Sequence, residues 1–187
     1  MGVLDDGERI TASDAAVWRS WLEEHHASAD GVWVLNVRGA NASMDYEDAV
    51  RQALCFGWID GPVRTFPEGN GQWFSPRRPS SGWAATNKAR LLALEEAGLL
   101  APAGIRAIEV AKANGTWEML DGPEAGIEPE EFAAALDAVP AARAHWDAFP
   151  KSVKKLGLTN IATARRAETR TARIAKIVAD AAEGKRP

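Results

Sequence analysis

Apolar and polar residues follow one another along this chain mainly with the period of a helix. The first apolar stripe predicts a helix over residues 13–26 that buries one face, with Thr11 or Ser13 as its cap. Its apolar members are Val17, Trp18, Trp21 and Leu22. A second stripe starts at Asp45 and stops at Gly57, a residue type that commonly ends helices. Both helices need a partner surface to cover their apolar faces.

Short runs of a different composition predict β-strands. Residues 32–37 are rich in β-branched side chains, and we expect a strand there. Residues 58–66 and 72–75 flank a turn rich in Pro, Gly and Asn, which predicts an antiparallel hairpin. Pro62 has no amide hydrogen to donate, so its strand should lie at an edge or carry a bulge.

Helical spacing resumes after the hairpin and continues towards the C-terminus. Helices are predicted over residues 86–97, 102–114, 129–139, 141–149 and 152–182. The turn-rich stretch 121–128 divides the chain into an α+β body, 1–120, and a helical C-terminal subdomain, 121–187. We therefore predict an α+β fold. A small antiparallel sheet of about three strands, one hairpin included, packs with helices, and an all-helical part follows.

Charge is unevenly distributed, although the net charge is only −4. Residues 151–187 contain ten Lys and Arg against three Asp and Glu, so the rest of the chain is acidic. A basic last helix can contact nucleic acid or dock on its own acidic body, and we favour docking. No stretch is apolar enough to span a membrane, and a lone cysteine, Cys55, suits a reducing compartment. We expect a cytoplasmic protein.

The segment from Gly57 to Lys88 concentrates side chains that can bind a ligand. Arginine forks fit carboxylates and phosphates, lysine adds a point charge, and indole rings stack on flat groups. Prolines 76 and 79 stiffen the loop. We predict a site for a small anionic ligand such as a phosphate, nucleotide or carboxylate. The predicted site residues are Trp58, Asp60, Arg77, Arg78, Ser81, Trp83, Asn87 and Lys88.

Three alternatives remain at this point. An arginine of the segment can pair with Asp60 and lock the loop without any ligand. A hydrolase or transferase can use the same cleft with Asp60 as general base. Nucleic acid can bind to the basic last helix. The chain has no zinc-like spacing of Cys and His and no nucleophile or phosphate-loop motif, so we expect no metal and no cofactor, and we favour a binding protein over an enzyme without deciding between them.

Seven blocks of this sequence are distinctive: Tyr46–Val50, Ala53–Gly61, Ser75–Trp83, Asn87–Lys88, Gly98–Gly104, Ala111–Trp117 and Glu168–Ile174. Together they resemble the YdeI/OmpD-associated family of bacteriocin-protection proteins. The family often has Trp-Ser where this chain has Trp83-Ala84. The resemblance implies an accessory role in stress or toxin protection in a bacterial cell. It implies no particular reaction, cofactor or active site.

Overall fold

The structure is a computed structural model, and it describes Leu4, residues 7–37, Ala42 and residues 44–187. The described elements are β1 (Arg9–Thr11), α1 (Ala15–His25), β2 (Val32–Leu35), α2 (Tyr46–Cys55), β3 (Trp58–Phe66), β4 (Gly69–Pro76), α3 (Ala85–Glu96), α4 (Pro102–Ala113), α5 (Asp121–Ala125), α6 (Glu130–Asp137), α7 (Pro140–Ala148), α8 (Lys151–Ala162) and α9 (Ala167–Ala182). The fold is α+β, as predicted. None of the described helices is long and apolar enough to cross a membrane.

The chain forms two compact units. The first contains the residues up to Ser81 together with Thr86–Asn114, and it holds the sheet. The second contains Gly82–Ala85 and Gly115–Pro187 and is helical. The division into 1–120 and 121–187 remains a prediction from the sequence.

In the described part of the chain, the sheet has four strands in the order β1-β2-β4-β3. The strands β2, β4 and β3 are antiparallel neighbours, whereas β1 pairs parallel to β2 with Ile10 opposite Val34. The expectation of about three antiparallel strands therefore missed β1. Its three residues are too few to show an alternating pattern, and its pairing partner lies far away in the sequence.

The hairpin of β3 and β4 closes more tightly than predicted. Phe66 pairs with Gly69, so Pro67 and Glu68 alone form the turn. The register shifts between Asp60 and Val63, which confirms the bulge expected around Pro62 at an edge strand.

Helices α1 and α2 begin at aspartates that accept backbone hydrogen bonds. The Asp14 carboxylate accepts from the amides of Ala16 and Val17, both at 2.9 Å, so Asp14 is the cap rather than Thr11 or Ser13. Asp45 accepts from the Glu47 amide at 3.1 Å. The indole of Trp18 is buried and donates to the Ala49 carbonyl at 3.0 Å, which joins α1 to α2.

The second unit has its own core, formed by α6 to α9. Phe132 packs edge-on against Trp146, with ring centroids 4.9 Å apart. The other buried members are Leu136, Ala142, Leu158, Ile161, Ile174, Ile177, Val178 and Ala181. Each buried indole removes about 150–250 Å² of surface from water, so Trp146 contributes much to this core.

The prediction of one long helix over residues 152–182 is wrong, because this stretch forms two helices, α8 and α9. The break follows Thr163, whose hydroxyl bonds back to the carbonyl of Thr159 at 2.9 Å, and Arg166 is extended. Both Leu158 of α8 and Ile174 of α9 lie in the same core. The chain must turn between them so that both apolar faces can be buried together.

Candidate functional site

A surface hollow of about 600 Å³ lies beside the end of the hairpin in the first unit. Its volume is within the roughly 300–1,000 Å³ range of small-molecule sites. The residues that line it are Leu4, Asp30, Ile59, Gly61, Pro62, Trp73, Ser75, Pro76, Arg78 and Ser81. Two of the predicted site residues, Arg78 and Ser81, thus share one concave surface.

Arg78 is exposed, and its side chain has no hydrogen-bond or ion-pair partner among the residues that the structure describes. The same holds within those ranges for the side chains of Ser75 and Ser81. A guanidinium offers five N–H donors and each hydroxyl offers one. The hollow therefore presents a fixed positive charge and two hydroxyls to whatever enters it.

The wall of the hollow is set by Trp73, whose ring lies against glycine backbone. An added Cβ would come within 2.5 Å of this ring at Gly7, 2.1 Å at Gly31 and 2.9 Å at Gly61. No side chain fits at these positions without moving the ring. Trp73 is only 5% exposed, so nearly all of its surface is packed against the protein.

Arg77, the sequence neighbour of Arg78, lies in different surroundings. Its backbone amide donates to the Gly57 carbonyl at 3.0 Å, and its side chain is partly buried. Burial lowers the pKa of Arg77 to about 10, and the negative charge of Asp60 opposes that change. Arg77 remains protonated at neutral pH, and Asp60 supplies a nearby countercharge. This arrangement matches the loop lock that the sequence left as an alternative.

Asp60 is further tied to α2. The Tyr46 hydroxyl donates to its carboxylate at 2.7 Å. Glu47, the residue after Tyr46, accepts from Arg90 with both carboxylate oxygens, at 2.8 and 2.6 Å. These bonds raise the pKa of Arg90. The charge of Asp60 adds to that effect. These contacts account for Asp60 as a structural residue.

Four other predicted site residues lie outside the lining of the hollow. Trp58 is 1% exposed and donates its indole N–H to the His26 carbonyl at 3.2 Å. Asn87 accepts from Arg90 at 2.8 Å, and Lys88 is partly buried. Trp83 belongs to the second unit, where it is buried against Trp117 with ring centroids 5.4 Å apart. Neither Trp58 nor Trp83 presents an open ring face to a ligand.

Asp30 and Ser75 line the hollow, although neither was predicted from the sequence to be a site residue. Asp30 lies in the loop before β2, and Ser75 precedes Pro76 near the end of β4. Only the pairing of β2 with β4, in which Val32 faces Phe74, brings these positions to one end of the sheet. No local signal in the sequence marks that pairing.

A second hollow of about 520 Å³ in the first unit is a weaker candidate. It is lined in part by Arg19, whose guanidinium donates to Glu23, Gln52 and the Leu99 carbonyl. Cys55 is fully buried, and burial raises the pKa of its thiol. Both groups are already engaged in holding the unit together.

Two arginines of the basic last helix, Arg170 and Arg173, bond within the second unit itself. Arg170 donates to Glu131 at 2.5 Å and to the Ile161 carbonyl at 3.2 Å. Arg173 donates to the Asn160 carbonyl at 2.5 Å. Both arginines therefore satisfy carbonyls at the end of α8, where positive charge is favoured. This placement weakens the case for a nucleic-acid surface on the last helix.

The fold and the hollow describe a small α+β protein with a helical second unit and a candidate binding surface. Residues 10–107, slightly more than half of the chain, match the family model of a domain of unknown function, DUF8412. Residues 126–184 match the model of the bacteriocin-protection, YdeI or OmpD-associated family. No curated protein and no solved structure matches the chain.

The chain therefore belongs to the DUF8412 family, and its C-terminal part confirms the predicted YdeI/OmpD-associated resemblance. The blocks from Tyr46 to Val50 and from Ser75 to Trp83 fall within the first match. Neither description names a reaction or a ligand, and both fit an accessory protein.

Proposed function

We propose that this protein is an accessory binding protein that holds a small anionic ligand in the hollow beside Arg78. One observation carries this proposal. Arg78 has no partner among the described residues, and it lines a concave surface together with two equally unengaged hydroxyls, Ser75 and Ser81. A carboxylate or phosphate would accept charge-assisted hydrogen bonds from that guanidinium.

The role of Arg77 in this proposal is to support the binding loop. Its backbone bond to Gly57 and its position beside Asp60 fix the chain immediately before Arg78. The ligand then meets a loop whose conformation is already determined, which reduces the entropy lost on binding.

The enzyme alternative has less support. A general base needs to reach the proton that it removes, but Asp60 already accepts from Tyr46 and lies beside Arg77. Asp45 caps α2 and Glu47 pairs with Arg90, so neither provides a second free carboxylate next to it. We infer passive binding, in the cytoplasm, where a single reduced thiol is stable.

A thermal-shift screen tests this function. Inorganic phosphate, acetate, citrate and AMP are added in turn to the wild type, to Arg78→Gln and to Arg166→Gln. Arg166 is exposed and belongs to the second unit, whereas the proposed contacts belong to the first. Its variant therefore loses the same charge without changing a residue of the hollow. A ligand that binds only the native state raises the melting temperature.

We expect at least one of these anions to stabilise the wild type and Arg166→Gln but not Arg78→Gln. If none of them stabilises the wild type, or if Arg78→Gln keeps the full shift, the proposal is wrong.

A further inference from the structure

The hollow beside Arg78 also contains an acid. Asp30 lines it, is exposed, and has no hydrogen-bond or ion-pair partner among the described residues. Asp30 and Arg78 form no ion pair, so the charged atoms of the two side chains lie more than 4.0 Å apart. One hollow thus holds a positive and a negative group that leave each other unneutralised.

Besides the two hydroxyls, much of the surface around these two charges is apolar. Ile59, Pro62, Pro76 and the wall formed by Trp73 line the same hollow. The free energy of a ligand's methylene groups falls when they leave water and pack against such apolar surfaces. A ligand that matches the hollow would therefore carry two opposite charges on an apolar body.

We propose that the hollow binds a small zwitterion, with a carboxylate on Arg78 and an ammonium group on Asp30. The inference rests on the anion-binding function proposed above and narrows its ligand class to amino carboxylates. A plain anion would satisfy Arg78 but would be repelled by Asp30, whereas a zwitterion satisfies both. Asp30 acts here as the residue that selects among ligands bound through Arg78.

The test uses a ladder of ω-amino acids in NMR titrations of the full chain at low salt, because exposed charges are screened by ions. The ladder is glycine, β-alanine, 4-aminobutyrate and 6-aminohexanoate, each compared with its N-acetyl form, which keeps only the carboxylate. The proteins are the wild type, Asp30→Asn, Arg78→Gln and, as a control for lost negative charge, Glu130→Gln in the second unit. Glu130 has no side-chain partner among the described residues.

We expect one chain length to bind best and to bind the wild type about twofold to fivefold more tightly than its N-acetyl form, the range of an exposed ion pair. Asp30→Asn should remove that preference while keeping carboxylate binding, and Glu130→Gln should keep the preference. If the N-acetyl forms bind through Arg78 as tightly as the free amino acids, the zwitterion inference fails but the anion site stands. If neither form binds, or if Arg78→Gln binds both unchanged, the anion site itself is wrong.

Discussion

Two arginines, one in each unit, show how differently the same side chain is used in this protein. Arg143 of the helical unit donates to both oxygens of Glu128, at 2.8 and 2.9 Å, and also to Asp147. Those bonds raise its pKa well above the ordinary value. Arg78 of the sheet unit has no such partner among the described residues and lines a hollow.

Counts of charged residues do not locate the candidate binding surface of this protein. The C-terminal stretch has the larger excess of positive charge, yet Arg170 and Arg173 are held by a glutamate and by helix-end carbonyls. The sheet unit has a weaker basic signal but keeps one guanidinium exposed in a concave place. The deciding property is whether acceptors of the protein itself already bond to the guanidinium.

The largest contrast is expected from removing each arginine in turn. Among the described residues, Arg143→Ala leaves Glu128 with the Trp146 indole as its one remaining donor, at 2.7 Å. The substitution should cost about 2–3 kcal/mol, because a partly buried charge loses its partner. Arg78→Ala should change the free energy of unfolding by no more than about 0.5 kcal/mol. Thermal unfolding of both variants measures the difference. Equal losses would show that Arg78 holds the fold and is not kept for a ligand.

A smaller effect is expected from crowding the wall of the hollow. Gly61→Ala places a methyl group 2.9 Å from the Trp73 ring and should destabilise the sheet unit by about 1–2 kcal/mol. The buried thiol of Cys55 reports on this unit, because a reagent reaches it only when the unit opens. The rate of native-state labelling should therefore rise.

The matched control for that substitution is Gly122→Ala in the helical unit. An added Cβ there meets no atom within 4 Å, and the residue lies in α5. The labelling rate of Cys55 should stay at its wild-type value. If Gly61→Ala also leaves the rate unchanged, the Trp73 ring is not packed tightly enough against Gly61 to resist an added methyl group.

The smallest effect is a pH dependence in the helical unit. Hydrogen bonds from Arg143 lower the pKa of Glu128 below its ordinary value of 4.5. A carboxyl with a depressed pKa stabilises the folded state above its unfolded pKa, and this stability is lost as the pH falls through the folded pKa. The stability difference between wild type and Glu128→Gln should be about 1 kcal/mol at neutral pH and should shrink below pH 4.5.

Glu130→Gln serves as the comparison for this titration, because Glu130 has no side-chain partner among the described residues. The stability of Glu130→Gln should differ little from that of the wild type at every pH. A difference for Glu128→Gln that stays constant from neutral pH to strongly acidic pH would contradict the assigned ion pair.

The fold could be predicted where the signal is local. The apolar stripe around Trp18 and Leu22 identified α1, and the turn residues around Gly69 identified the hairpin. What failed depends on contacts between distant parts of the chain. Strand β1 exists through its pairing with β2, and the break after Thr163 reflects the need to bury both Leu158 and Ile174.

The candidate site was predicted only in part, for the same physical reason. The sequence placed Arg77 and Arg78 together, but adjacent side chains differ in orientation, and Arg77 is partly buried beside Asp60. Trp58 and Trp83 were expected to offer stacking surfaces, yet their large apolar area is buried. Asp30 came to the hollow through strand pairing, which residue composition does not encode.

The contrast between the two arginines can be read in one spectrum. Side-chain Nε–Hε NMR signals of Arg78 and Arg143, assigned with Lys variants, are followed while acetate is added to the wild-type protein. We predict that the Hε proton of Arg78 exchanges rapidly with water before acetate is added. Its signal should then shift to a saturating value as acetate is added, whereas the Arg143 signal should not shift. An Arg78 signal that is protected before any anion is added, and that does not move afterwards, would contradict the proposed site.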